Sequence, residues 1–374
     1  MSAHRCISLP GMLRRLTLLA FAILAVYAAP AQAAITVDNV QAAPADTKAG
    51  GHSDFTLAFD LGADESIKDL DVNLPAGLLG NPNAPAKCTI DQFNSDSCPA
   101  ESKVGTQTVN VTVLLLPTDV SGEVFNLVPQ PGEPARLGIR LDAPTGPIRI
   151  QSPVRVRSED SGLTSILRDI PSDFKINKIT LTLQAKAGSG KDFMTNPTSC
   201  GPAVTRLHAV GYGGGVADGQ GSFTPTACDA LPFAPKLSAT VGDKDNTKAR
   251  SMPPLTTVIE QAPGEAATKS ARVTLLAPLS PNVGALANVC SVADFDADKC
   301  PEKSVVGQAT AVTPLLATPL KGPVRIVENP GNLPKLVLYL NGLINIRLVG
   351  NIQLAAEGTE TTFAGIPDVP LTRF

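Results

Sequence analysis

Apolar and polar residues alternate along most of this chain. Phe55-Thr-Leu57-Ala-Phe59-Asp-Leu61 and Val109-Asn-Val111-Thr-Val113 each place apolar side chains on one side of an extended strand. Leu137-Gly-Ile139-Arg-Leu141 and Ile148-Arg-Ile150 do the same around a Pro/Gly turn at Ala143 to Pro147. Leu336-Val-Leu338-Tyr-Leu340 and Ile344-Asn-Ile346-Arg-Leu348 repeat that hairpin, and Ile179-Thr-Leu181-Thr-Leu183 adds a further strand. Such alternation suits sheets with one face buried. No stretch sustains the 3.6-residue apolar period of a major helix. Short strands separated by turn residues predict an all-β fold of antiparallel sandwiches or barrels.

The pattern occurs twice. Cys88, Phe93, Cys98-Pro99, Ser102 and Val104-Gly105 recur 202 residues later as Cys290, Phe295, Cys300-Pro301, Ser304 and Val306-Gly307. Pro131-Gly132 and Ile170-Pro171 return as Pro330-Gly331 and Ile366-Pro367, so the spacing shortens along the copy. The losses fall in Pro/Gly stretches, where loops accept deletions while a core is kept. The spacing predicts two related antiparallel β-sandwich-like modules, residues 34–250 and 251–374, with 234–267 as the passage between them. The second reads as truncated. Leu371-Thr-Arg-Phe374 stands where copy one begins the strand at Ile176 to Leu183, and the Cys200 to Cys228 segment has no counterpart. The expectation is a shortened two-module chain, or a second module completed by another chain, because a missing strand leaves an open edge.

The first 33 residues read as a signal peptide. Arg5, Arg14 and Arg15 precede an uncharged run from Leu16 to Ala29, which is shorter than the ~20 residues of a membrane span. Ala31-Gln32-Ala33 offers small residues for cleavage. Cleavage would place the protein outside the cytoplasm, extracellular or at the cell surface, with no transmembrane span, and remove Cys6. The six remaining cysteines then favour disulfides. The equal spacing of the two Cys pairs selects Cys88–Cys98 and Cys290–Cys300, and leaves Cys200–Cys228 as the remainder. Zinc would want cysteines closer together or histidines nearby, and only His52 and His208 remain after cleavage.

Charged residues are sparse at 17%, and 31 Gly and 33 Pro are spread between apolar runs, which favours turn-rich folded modules over disorder. The chain carries a net charge of −3, and loss of the signal peptide removes three Arg and no acid. With no basic run, nucleic acid and anionic lipid are not expected partners. Ala187-Gly-Ser-Gly-Lys191-Asp192 resembles a phosphate loop, but Asp192 stands where a magnesium-binding hydroxyl is needed, so a hairpin loop is expected. Gly211-Tyr-Gly-Gly-Gly215 reads as the turn between strands at Val204–Val210 and Ser222–Thr224. Asp294, Asp296 and Asp298 have the carboxylate rhythm of a calcium loop, matched by Gln92, Asn94 and Asp96. Lys299 stands where an EF-hand needs Gly, and a polar turn closed by the disulfide is the competing reading. His52 lies in a polar approach and His208 in mid-strand, with no nucleophile elbow in the chain. No catalytic residue and no cofactor is assigned. After cleavage the chain has no Trp and only Tyr212 and Tyr339, which argues against aromatic sugar platforms.

Four motifs carry a resemblance: Leu74-Pro-Ala-Gly-Leu-Leu-Gly-Asn-Pro82, Cys88 to Pro99, Phe125-Asn-Leu-Val-Pro-Gln-Pro-Gly-Glu-Pro134 and Phe193-Met-Thr-Asn-Pro-Thr-Ser-Cys-Gly-Pro202. They resemble a group of exported, β-rich tandem-repeat proteins of high-GC actinobacteria, and the resemblance spans nearly the whole mature chain. It implies secretion and repetition and brings no known activity or site with it. This chain departs from the pattern by ending inside its second module. The expected function is a secreted or cell-envelope structural or adhesive protein without catalytic activity, with cell-wall components or another chain as partners. Two alternatives stay open: an extracellular module for a carbohydrate or small apolar ligand, and a hydrolase working through carboxylates. An apolar groove would favour the first alternative, and a cleft with paired acids the second.

Overall fold

The computed structural model describes residues 35–374, except 64, 114, 174, 243–245, 249 and 280–282. The expected signal peptide lies outside the described residues. The fold is all-β, and its named strands pair antiparallel. The first module holds β1 (Ile35–Pro44), β2 (Phe55–Ala63), β3 (Ile67–Asn73), β4 (Leu79–Gly80), β5 (Lys103–Val113), β6 (Leu116–Leu127) and β7 (Ala135–Ala143). It continues with β8 (Gly146–Val156), β9 (Leu163–Leu167), β10 (Lys175–Leu183), β11 (Met194–Thr195), β12 (Ala203–Gly211) and β13 (Val216–Phe223).

Eleven of these strands form one sheet in the order β1-β2-β10-β5-β6-β7-β8-β9-β3-β12-β13, while β4 and β11 pair apart from it. The sheet curls until β13 lies against β1. Gly221 allows that approach, since a Cβ there would stand 2.8 Å from the Val40 carbonyl oxygen. The two opposed faces expected of a sandwich thus belong to one continuous near-barrel. The period-two alternation decides what points inward. Phe55, Leu57 and Phe59 on β2 are each 1% exposed, and Val109 on β5 is 3% exposed. Gly122 on β6 faces β7 so closely that a Cβ would collide with the Arg140 carbonyl. Gly122→Ala should therefore lower the urea midpoint by the equivalent of about 1–3 kcal/mol, and an unchanged midpoint would show that the strands relax freely.

The second module holds β14 (Lys236–Val241), β15 (Leu255–Glu260), β16 (Ser270–Leu276), β17 (Val305–Ala311), β18 (Leu320–Val327), β19 (Lys335–Leu340), β20 (Ile346–Ala355) and β21 (Gly358–Ala364). Six strands pair in the order β16-β21-β20-β19-β18-β17, the order of β3-β9-β8-β7-β6-β5 in the first module. β14 and β15 form a separate hairpin, as β1 and β2 pair. Residues 250 and 251 lie in the turn of that hairpin, so backbone pairing crosses the boundary expected from sequence. The main core here is small: Ala309, Ala311, Leu320, Leu338, Leu340 and Phe363. Leu237 and Leu276 remain 70% and 55% exposed.

All three disulfides join the expected cysteines: Cys88–Cys98, Cys200–Cys228 and Cys290–Cys300. Each short disulfide loop contains a helical turn, α1 (Ile90–Asn94) or α2 (Val292–Asp296). The sequence reading weighs a calcium loop against a polar turn there, and neither is a helical turn. The missed signal was a capping box: Gln92 N donates to Thr89 Oγ1 at 3.2 Å and Thr89 N to Gln92 Oε1 at 3.0 Å. The two modules touch through Asp368, whose carboxylate accepts hydrogen bonds from Thr198 N at 2.9 Å and Thr198 Oγ1 at 2.6 Å.

Candidate functional site

Eleven strands enclose more space than their inward side chains fill. One cavity, of about 1030 Å³, lies inside the first module among Phe55, Phe59, Val124, Ile139, Leu181 and Met194. A second, of about 710 Å³, is lined by Val109, Val111, Val120, Ile148, Ile170 and Ile176. A third, of about 1070 Å³, lies between the modules against Leu79, Val156, Leu316, Leu340, Ile346 and Phe374. These volumes include space open to solvent. The cavities stand in series. Leu70, Gln107, Leu167 and Ile179 line the first two, while Gly80, Pro82, Ala135, Val154 and Leu163 line the first and third. Among the described residues, no Asp, Glu, Lys, Arg or His lines any of them.

The few polar groups in the walls are mostly occupied. Asn126 Nδ2 donates to the carbonyls of Pro82 and Ala86, both at 3.1 Å. Ser165 shares a hydroxyl hydrogen bond with Ser152 at 2.6 Å. Gln107 differs. It is in phase with Val109 and Val111 on β5, is 6% exposed, and makes no side-chain hydrogen bond among the described residues. Its side chain lines the first two cavities, where an amide can meet a polar atom of an occupant. Beside Val113, at the second cavity, the turn between β5 and β6 carries Leu115 and Leu116, which are 92% and 67% exposed.

The residues weighed for chemistry lie elsewhere. His52 Nδ1 is 2.9 Å from the Met194 carbonyl and 3.2 Å from Thr195 Oγ1, and its Nε2 is 3.6 Å from Asp192. His208 Nδ1 meets Asp218 at 2.7 Å across β12 and β13, on the exposed face. Neither ring is hydrogen-bonded to a Ser or Cys among the described residues. The Ala187 to Asp192 segment is a tight loop closed by Ala187 N to Lys191 O at 2.9 Å. Asp294 accepts from Ser291 Oγ at 2.8 Å, and Asp298 pairs with Arg347 at 2.9 Å, as Asp96 pairs with Arg149 at 2.5 Å. No three acidic, His or Cys side chains converge in a metal-holding group among the described residues, Asp296 included.

Perturbed acidities also fall outside the cavities. A hydrogen bond from Arg157 holds the Asp160 carboxyl below the usual range. Burial pushes Glu133 up, but hydrogen bonds from Arg136 and the Gln130 amide outweigh it and leave the group lowered. Burial pushes the Tyr339 phenol up. The site therefore offers shape and an apolar lining, with one amide as its polar handle. Compared with protein-family models, with curated proteins and with solved structures, the chain matches none.

Proposed function

We propose that this protein is an extracellular binder of a long apolar ligand, of the acyl-chain class, and acts without catalysis. The series of adjoining apolar cavities carries the reading. Burying a methylene against these walls is worth about 0.8 kcal/mol. Export is supported by the signal-peptide pattern of residues 1–33 together with three disulfides. Gene duplication accounts for the paired disulfides and the matching strand order of the two modules. A structural or adhesive role is the second reading, favoured by the exposed apolar strands of the second module.

The test is a titration of delipidated protein with the fluorescent fatty acid cis-parinaric acid. Saturable binding at one site per chain is expected. Ala135→Phe, at the wall shared by two cavities, should weaken it about tenfold or more with an unchanged circular-dichroism spectrum. Gln107→Leu should remove any preference for a hydroxylated fatty acid over stearic acid. Absence of saturable binding by the wild-type protein would sink the reading.

A further inference from the structure

One end of the first module carries leucines where its fold has no use for them. Val113 pairs with Leu116 at the close of the β5–β6 hairpin, and the sequence there reads Val113-Leu-Leu-Leu116. Hairpins this tight favour Asn or Gly, which reach positive φ with little strain. Leu115 instead takes a φ of 69°, a costly region for a residue with a Cβ, and its side chain is 92% exposed. Leu116 beside it is 67% exposed. β6 pairs with β7 only from Gly122 onward, so the hairpin tip extends past that neighbour. Packing within the chain gives no reason for leucine at this tip.

The β12–β13 turn lies at the same end. Gly211 pairs with Ile67 at the start of β3, and the Tyr212 hydroxyl donates to the Ile170 carbonyl at 2.9 Å. Tyr212 and Val216 in this turn are 49% and 56% exposed. Strands β7, β8, β9 and β3 separate the two turns one way round the barrel, and β10, β2 and β1 the other way. The apolar tips therefore face each other across the opening. The second cavity lies between them, lined by Val113, Ile170 and the exposed prolines Pro144 and Pro171. Residues 115–118, 143–147 and 210–217 carry no charge. Behind the tips Lys68 is 3.8 Å from Asp169 and Arg168 is 2.5 Å from Asp71, while the Glu65 carboxylate accepts from the Gly213 and Gly215 amides. Much of the nearby charge is thus neutralised within the chain.

We propose that this mouth docks on a neutral lipid surface, with the Leu115–Leu116 tip and the Tyr212–Val216 turn entering the headgroup layer and the second cavity opening between them. A stable protein partner needs a continuous complementary face of about 800 Å² on each side. These tips instead stand around an opening, and lipid adapts to the gaps between them. Leucine gains by burial in the acyl boundary, and a tyrosine with an occupied hydroxyl suits the interface above it. Uncharged tips and paired flanking charges give anionic headgroups no handle, so apolar insertion and not charge holds the contact. Such a contact also delivers an acyl chain to the cavity without passage through water. That delivery rests on the apolar-ligand reading, whereas the docking rests on the turns themselves.

The experiment floats the exported chain, freed of residues 1–33, with vesicles of dioleoylphosphatidylcholine. Expected is partition onto the vesicles that neither 0.5 M salt nor added phosphatidylserine changes by more than about twofold. Leu115→Glu/Leu116→Glu should weaken it about tenfold or more. Both side chains are exposed, so the variant should keep the wild-type circular-dichroism spectrum and bind cis-parinaric acid from solution as the wild type does. Brominated phosphatidylcholine should quench tyrosine emission in the wild type and not in Tyr212→Phe. The proposal is overturned if the wild type does not float at millimolar lipid, if the double variant floats equally well, or if flotation requires phosphatidylserine. It is equally overturned if sedimentation velocity shows a dimer that the double variant disperses, since the tips would then seat a second copy. Failure of cis-parinaric acid binding with flotation intact would remove the apolar-ligand reading and leave the docking surface standing.

Discussion

Phe59→Ala should destabilise the first module by about 3–5 kcal/mol while leaving its capacity for an apolar ligand intact or enlarged. The residue is 1% exposed and projects from β2 into the central cavity, between Leu57 and Leu61 on the same face. The size of the loss depends on how far the surroundings can close over the missing ring. Here they are stiff. β2 is hydrogen-bonded on both edges, to β1 and to β10, and the sheet curls round to bring β13 against β1. A wall held on both sides cannot move inward without breaking ladder hydrogen bonds elsewhere, so the upper part of the range is expected. Urea unfolding monitored by far-ultraviolet circular dichroism measures the stability term, and cis-parinaric acid titration measures the binding term. A loss below about 1 kcal/mol would mean that the ring is not packed as described.

The opposite signs of those two effects follow from what the barrel does with its interior. A compact core excludes a ligand because its side chains interdigitate at close to crystalline density. This interior has apolar walls on every side and adjoining space between them, so deleting wall atoms removes support and adds room together.

Much of the fold was legible because strand alternation is a local property. The inward residues of β2, β5, β7 and β19 follow period two, and each of these strands contains the run that the pattern placed there. The disulfides were legible because equal Cys spacing in two copies left one consistent pairing. What joins the strands was not legible. β10 lies between β2 and β5, far from both in sequence, and no local period encodes that neighbour. β14 was missed because Lys236–Val241 exposes both faces, so burial imposes little alternation on it. β20 begins at Ile346 and not at Ile344, because the preceding residues form the turn. The cavities were hidden for a further reason. They depend on how many strands close the sheet, which is a global count. Gln107 could have been flagged, since a lone amide in phase with Val109 and Val111 breaks an apolar face.

Removal of the two short disulfides should separate the modules by stability. The Cys88–Cys98 and Cys290–Cys300 loops have the same sequence separation of 10, so each bond constrains the unfolded chain by about 3 kcal/mol. Cys88 and Cys290 are both 0% exposed, so replacement by alanine leaves comparable small voids. The local cost is therefore similar, and what remains after it is not. In the first module the core draws on β1, β2, β3, β5, β6, β7, β10, β12 and β13. The second module has the small core around Leu338 and Phe363, and one satellite cluster in which Cys290 packs with Val327, Val337 and Tyr339. Its apolar residues Leu255, Val273 and Val306 stay partly in water, contributing less than their buried counterparts. Cys290→Ala/Cys300→Ala should accordingly abolish amide protection across β17 to β21 under conditions where β5 to β9 stay protected. Cys88→Ala/Cys98→Ala should lower the midpoint of the first module yet keep its strands protected. Hydrogen exchange read by mass spectrometry on both variants decides the matter. Equal loss in the two modules would show that the disulfides, and not the unequal cores behind them, set the stability of each half.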